Sequence, residues 1–266
     1  MAETMQAYRM LEFEQPPALV ETEVPEPGPG EVLVKVAGNG LCHSDLHMMH
    51  MPASIGPTVG WNMPFTLGHE TAGWVASWGP GVEGLEEGQA VALVSPMSCG
   101  TCAECLSGHD NVCATNGVGR GFGLDGGLAE YVLVTDSRLL VPLHDVDPLT
   151  AGPLTDAGST SYHGFQLVRP RLQSGAAALV IGAGGLGSFA VQYIKQLTRA
   201  QLLVADISPE KLQRAAELGA DACINSAETD LAREVQQLTE GRGVVAVLDF
   251  VGNDATIAAG VACLSR

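Results

Sequence analysis

The chain has 266 residues, 46% of them hydrophobic and 16% charged, with 30 acidic against 13 basic side chains for a formal net charge of −17. That length suits two domains of about 100–200 residues each, and that charge weighs against a nucleic-acid partner, because no Lys/Arg cluster exists to release phosphate counterions. No apolar run reaches the ~18 residues of a membrane span, and the acidic start MAETMQAYRMLEFEQ lacks the basic end of a signal peptide, so a cytoplasmic protein without a membrane partner is expected.

In chain order, the first half alternates short apolar runs with Gly and Pro. Residues 32–36, 89–94 and 130–134 read as strands following turns, which predicts an antiparallel, barrel-like domain over 1–152. Within it, Cys99, Cys102, Cys105 and Cys113 fall in CGTCAECLSGHDNVC, in a lobe at about residues 95–115. Three cysteines at i, i+3 and i+6 can turn their sulfurs around one ion. The eight-residue step to Cys113 supplies a fourth ligand, completing the donor set of a closed structural zinc site. Disulfides are the rival reading, disfavoured in a reducing compartment.

After Pro153 the pattern changes to strand, glycine turn and helix, which makes 153–266 an α/β domain. Gly182, Gly184 and Gly187 form G-x-G-x-x-G, enclosing Gly185 and Leu186, directly after the apolar strand 177–181 and before a helix opening near Ser188. The first glycine permits the tight turn, the second lets backbone approach a pyrophosphate, and the third lets helix lie on strand, with the helix N-terminus attracting the phosphates. Nineteen residues beyond Gly187, Asp206 ends the next strand. A carboxylate there accepts both ribose hydroxyls and repels a 2′-phosphate, which favours NAD over NADP. Lys211, five residues on, either approaches the same ribose edge or is a solvated helix residue. Ser208 caps this helix with Pro209 in its first turn, Gly219 ends it, and Leu212, Ala215, Ala216 and Leu218 form its buried face. A strand over 244–250 and an apolar helix from Ala255 follow.

Cys42, His69 and Asp156 are scattered, yet each sits at a junction: Cys42 opens CHSDLH after a strand, His69 lies in GHETAG, and Asp156 lies in PLTDAG where the two halves meet. Taken singly, such residues are more often packed core. Together the case for function is better, since a catalytic zinc wants three protein ligands of the N/S/O type and an open fourth position.

These motifs resemble the zinc-dependent medium-chain alcohol dehydrogenases. Gly68, His69, Glu70, Gly73, Gly79 and Val82 fit that family's GHE-x₂-G-x₅-G-x₂-V signature, and the Cys₄ lobe and the GAGGLG turn follow in the family's order. The resemblance implies a GroES-like antiparallel barrel as catalytic domain, then a Rossmann dinucleotide-binding domain. It implies two zinc ions per chain, one catalytic on Cys42, His69 and Asp156 and one structural on the four clustered cysteines, with NAD as cofactor. Glu70 is then a carboxylate able to approach the catalytic metal during ligand exchange, and Ser44 and His47 match the proton relay. His43 faces the pyrophosphate, Thr160 lies beside the nicotinamide, and Val251 joins the cofactor site. Asp156 departs from the commoner cysteine at that position. This points to the bacterial, actinobacterial NAD-dependent secondary-alcohol dehydrogenases and to a stronger Lewis acid than a thiolate would leave.

The implied reaction is reversible hydride transfer between an alcohol and NAD⁺, the alkoxide's proton leaving through Ser44 towards His47. Met48, Met49, Met51, Trp61 and Met63 are candidates for an apolar substrate pocket or for plain core, and an apolar secondary alcohol and its ketone are the expected substrates. Relatives run on for two further strands and a returning segment. The resemblance therefore implies a C-terminally shortened chain with an incomplete Rossmann sheet open after Phe250, and homo-oligomers in the full-length family. A catalytically incomplete, zinc-stabilised NAD-binding protein and a polyol dehydrogenase are the alternatives.

Overall fold

Strand alternation sets the architecture of the N-terminal part. In β1 (Thr4–Met10), Met5, Ala7 and Met10 are buried, Thr4 and Gln6 are exposed and Tyr8 and Arg9 are half-buried, and β1 pairs antiparallel with β2 (Ala18–Glu23) from Thr4↔Glu23 to Arg9↔Ala18. β3 (Val32–Gly40) leads through α1 (His43–Met48) and α2 (Ile55–Val59) to β4 (Phe65–Thr66) and the long β5 (Glu70–Trp78). Then come β6 (Ala90–Leu93), α3 (Ala103–Leu106), β7 (Gly119–Arg120), β8 (Gly123–Leu124), β9 (Tyr131–Val134), β10 (Leu140–Pro142) and α4 (Pro148–Ala151). The sheets run β2-β1-β4 and β10-β6-β5-β3-β9, all pairings in them antiparallel. Val32, Val34, Val75, Val91, Leu93, Val132 and Val134 pack into one core. Each such side chain, fully buried, contributes about 1.5–3 kcal/mol. The strands expected at 89–94 and 130–134 are shorter than the apolar runs, ending where pairing ends.

The computed structural model describes residues 3–61, 63–114 and 118–265. It divides into two units, Met1–Asp156 and Ala157–Arg266. The division lies four residues beyond the expected 152, because the helical turn Gly152–Thr155 packs on β3 and β5 of the first unit.

The second unit begins with α5 (Ala157–Val168) and continues as β11 (Ala177–Ile181), α6 (Gly185–Leu197), β12 (Gln201–Asp206), α7 (Pro209–Glu217), β13 (Ala222–Asn225), α8 (Leu231–Leu238), β14 (Ala246–Asp249) and α9 (Asp254–Ala262). The sheet is parallel, in the order β13-β12-β11-β14. All of β11 is buried, as a continuous apolar run in the middle of a parallel sheet must be. After β13 the chain crosses to the other side of β11, so the strand order reverses between β11 and β14, where such sheets bind ligands at their carboxyl ends.

Three sequence expectations change. α6 opens at Gly185 rather than near Ser188, because Gly184 is already its N-cap. Ala216 is exposed, since only Leu212 and Ala215 of α7 point fully into the sheet. The last strand covers Ala246–Asp249 rather than 244–250; Val244 instead makes an isolated bridge to Leu264. Among the described residues β14 stands at one end of this strand order. No helix among the described residues is long and apolar enough to cross a membrane.

Candidate active site and metal centres

Two clusters in the first unit bring metal-ligating atoms together. In the first, one donor atom each from Cys42, His69, Glu70 and Asp156 lies within 4.8 Å of the others. Cys42 is the N-cap of α1, held by its N–H donating to Asp45 Oδ2 at 3.1 Å. His69 and Glu70 sit at the start of β5, 2% and 4% exposed. Asp156 follows the helical turn Gly152–Thr155 that packs on β5.

His69 decides whether this group suits a cation. Its Nδ1 lies 3.3 Å from Asp45 Oδ1 and its Nε2 3.4 Å from Asp156 Oδ2, yet neither nitrogen, nor Asp45 Oδ1, makes a hydrogen bond. Burial by itself would lower the pKa of His69; Asp156, Asp45 and Cys42 outweigh it and push the imidazole up to about 11. The neighbouring His69 imidazole, against the opposing effect of burial, holds the Cys42 thiol below its ordinary value. A buried site that presents a sulfur, an imidazole and carboxylates and favours positive charge fits a divalent metal of the zinc type.

Ser44 and His47 share α1 with Cys42. Ser44 Oγ is 3.5 Å from Cys42 Sγ, whereas His47 is exposed, and among the described residues no hydrogen bond joins the two. His43 is exposed on the same helix. The Phe122 ring lies 4.4 Å from the His69 ring and 6.0 Å from Trp61. Met48 is core rather than pocket wall, buried with Met10, Phe65 and Leu67, while Met49, Met51, Trp61, Met63 and Phe122 pack partly exposed against that group.

In the second cluster the sulfurs of Cys99, Cys102, Cys105 and Cys113 lie within 4.8 Å of one another. Separations of 3.5 Å for Cys102–Cys105, 3.9 Å for Cys102–Cys113 and 4.0 Å for Cys99–Cys105 bracket the ~3.8 Å edge of a tetrahedron with metal–sulfur bonds of about 2.3 Å. The backbone N–H and hydroxyl of Thr101 and the Cys102 N–H pull Cys99 down to about 5. Desolvation and the sulfur of Cys102 push Cys105 up to about 12. So small a space cannot hold four thiolates without a cation.

The second unit carries the glycine turn. Gly182 has φ +87°, its N–H donates to Ala205 O, and a Cβ there would come 2.8 Å from Val251 Cγ2. A Cβ at Gly187 would collide with the Gly182 carbonyl, whereas at Gly184 or Gly185 it would meet nothing within 4 Å. The space before the α6 N-terminus is therefore open, and a helix N-terminus facing open space suits the phosphates of a dinucleotide. Asp206, 8% exposed, accepts from Ala183 N–H at 2.8 Å and Ser208 N–H at 2.9 Å, so the acid also braces the turn. Val251 is half exposed beyond β14, its N–H held by Asp249 Oδ1 at 2.8 Å. Lys211 is exposed on α7, its N–H donating to the Ser208 cap at 3.4 Å. Thr160 is exposed on α5 beside Ser161, whose hydroxyl donates to Leu186 O at 2.7 Å.

Residues 28–145 match the model of the alcohol dehydrogenase GroES-like domain and residues 185–266 that of the zinc-binding dehydrogenase. A NAD-dependent alcohol dehydrogenase of Sulfolobus acidocaldarius is 37% identical over 95% of this chain and 72% of its own length. The chain belongs to the zinc-dependent medium-chain alcohol dehydrogenase family. Among solved structures, the alcohol dehydrogenase of Aeropyrum pernix superposes with a TM-score of 0.89 at 36% identity, over 98% of this chain and 76% of that one. The acetophenone reductase of Geotrichum candidum, solved in complex with NAD, superposes with a TM-score of 0.82 at 32% identity, over 100% and 74%. None of these three is actinobacterial.

Within the family frame, two residues beside the first cluster escape sequence reasoning. Asp45 left a faint signal, the carboxylate three residues after Cys42 that marks a helix start. Phe122 left none, because its approach to His69 depends on the fold.

Proposed function

We propose that the protein is an NAD-dependent alcohol dehydrogenase that interconverts an apolar secondary alcohol and its ketone. The observation that carries this reading is a buried His69 with both ring nitrogens lacking a hydrogen bond, in a cluster with Cys42, Glu70 and Asp156. Cys42, His69 and Asp156 would hold a catalytic zinc, Glu70 standing by as an exchange ligand, and Cys99, Cys102, Cys105 and Cys113 a structural one. Gly182, Gly184, Gly185, Leu186 and Gly187 would receive NAD, with Asp206 on its ribose and His43, Thr160, Lys211 and Val251 around it. When bound, zinc supplies Lewis acidity that lowers the pKa of a coordinated hydroxyl, and NAD⁺ supplies the hydride acceptor.

The chain's own residues do the rest. Ser44 Oγ, next to Cys42, accepts the hydroxyl proton and passes it towards His47, whose exposure opens the route to solvent. A bridging hydroxyl or water completes that path. Phe122, packed on His69 and backed by Trp61, offers an apolar surface that suits a hydrocarbon substituent.

Incubating zinc-loaded protein with NAD⁺ and a panel of primary, secondary and polyhydric alcohols tests this through NADH absorbance. NADH forms fastest with apolar secondary alcohols. Absence of NADH with every alcohol, despite measured NAD binding and full zinc content, refutes the activity. Asp156→Ala removes one zinc per chain; full occupancy in that variant refutes Asp156 as a ligand.

A further inference from the structure

The segment 98–114 contains the four clustered cysteines, Glu104 and Asp110, but no Lys or Arg. Zinc on four thiolates carries a net charge of −2, and these carboxylates add to it. Arg138, from the connection between β9 and β10, answers that charge. Its Nη1 donates to Ser98 Oγ at 3.0 Å and to Asp110 Oδ1 at 2.9 Å, its Nη2 donates to the Ser98 carbonyl, and its Nε reaches Asp136 Oδ2 at 3.4 Å. Ser98 Oγ in turn donates to Asp110 Oδ1 at 2.7 Å. Ser98 directly precedes Cys99, and Asp110 opens the short helical turn that ends at Cys113. One guanidinium thus ties together the two ends of the loop that carries the first and last sulfurs. A Cβ on Gly100 would lie 3.1 Å from Arg138 Nε, so the side chain fits closely against the lobe.

We infer that Arg138 is a positioning residue for the Cys₄ metal: its planar fork closes the base of the lobe, and its charge offsets that of the thiolates, so that it sets how firmly the lobe retains its ion. The inference rests on the reading of these cysteines as a zinc site. A lysine would keep the charge but lose the fork: one ammonium can stand for Nη1 between Ser98 Oγ and Asp110 Oδ1, but cannot at the same time replace Nη2 on the Ser98 carbonyl and Nε at Asp136.

The test follows zinc release from the loaded protein into excess chromophoric chelator. The Cys42→Ser variant identifies which release phase belongs to the other metal centre. Arg138→Gln releases the Cys₄ zinc about tenfold faster than wild type, as loss of charged hydrogen bonds at a partly exposed site implies. Arg138→Lys falls between, and the other centre's phase keeps its wild-type rate. Asp110→Asn, which weakens the same bridge from inside the lobe, also accelerates release. Wild-type release rates in Arg138→Gln overturn the inference. If that variant does not accumulate folded, unchanged rates in both Arg138→Lys and Asp110→Asn overturn it. A wild-type protein with no zinc beyond the Cys42 centre overturns instead the underlying reading of the four cysteines.

Discussion

Alanine at Gly184 and at Gly187 separates two functions that one glycine motif combines. A methyl at Gly187 would overlap the Gly182 carbonyl oxygen and lie 2.9 Å from its carbon, with Val180 Cγ1 at 3.6 Å. Helix α6 must move off β11, an overpacking cost of about 1–3 kcal/mol. That lowers the unfolding temperature by several degrees. At Gly184 φ is −75°, a value any residue adopts, and the methyl meets nothing within 4 Å. Stability should stay within about 0.5 kcal/mol of wild type. The methyl instead projects into the open space proposed for the pyrophosphate, weakening NAD binding by about tenfold or more, or about 1.4 kcal/mol. Scanning calorimetry on the two variants and titration calorimetry with NAD measure both effects. Wild-type NAD affinity in Gly184→Ala, or a wild-type unfolding temperature in Gly187→Ala, refutes the assignment.

Asp45→Ala removes the carboxylate beside His69 Nδ1 and the bond to the Cys42 N–H; metal affinity at the Cys42 centre falls about 10–100-fold, read by competition with a chelator, while Cys₄ zinc is retained. Ser161→Ala deletes the buried bond to Leu186 O and costs about 1 kcal/mol, visible as a lower denaturant midpoint. Asp221 is held below its ordinary pKa: burial would raise it, but Lys195 and the Leu202 N–H outweigh burial. Its contribution is therefore complete above the unfolded-state value of about 3.9 and is lost as pH falls through the folded value. Asp221→Asn flattens the acid limb of stability against pH, and an unchanged limb in chemical denaturation would contradict this.

Local chemistry was legible in this chain wherever function demands a fixed spacing. The four clustered cysteines converge because their ligand positions are close in sequence, and Gly182 and Gly187 occupy the tight contacts that their motif implies. Boundaries were less legible. The start of α6 differs from the sequence expectation because capping by Gly184 leaves no side-chain signature, and the placement of Ala216 differs because a small residue fits equally on either face of α7.

The amino-acid order alone determined the family, the glycine turn and the cysteine cluster, since each rests on residue types at defined separations. Only tertiary structure decided what surrounds His69. Asp45 on a helix, Phe122 from a distant turn and Asp156 from the segment packed on β5 reach it through the pairing of strands far apart in the chain. Arg138 likewise meets Ser98 and Asp110 only because β10 pairs with β6, whose end leads into the cysteine lobe. Those contacts follow from burial and sheet register, to which no local spacing in the sequence corresponds.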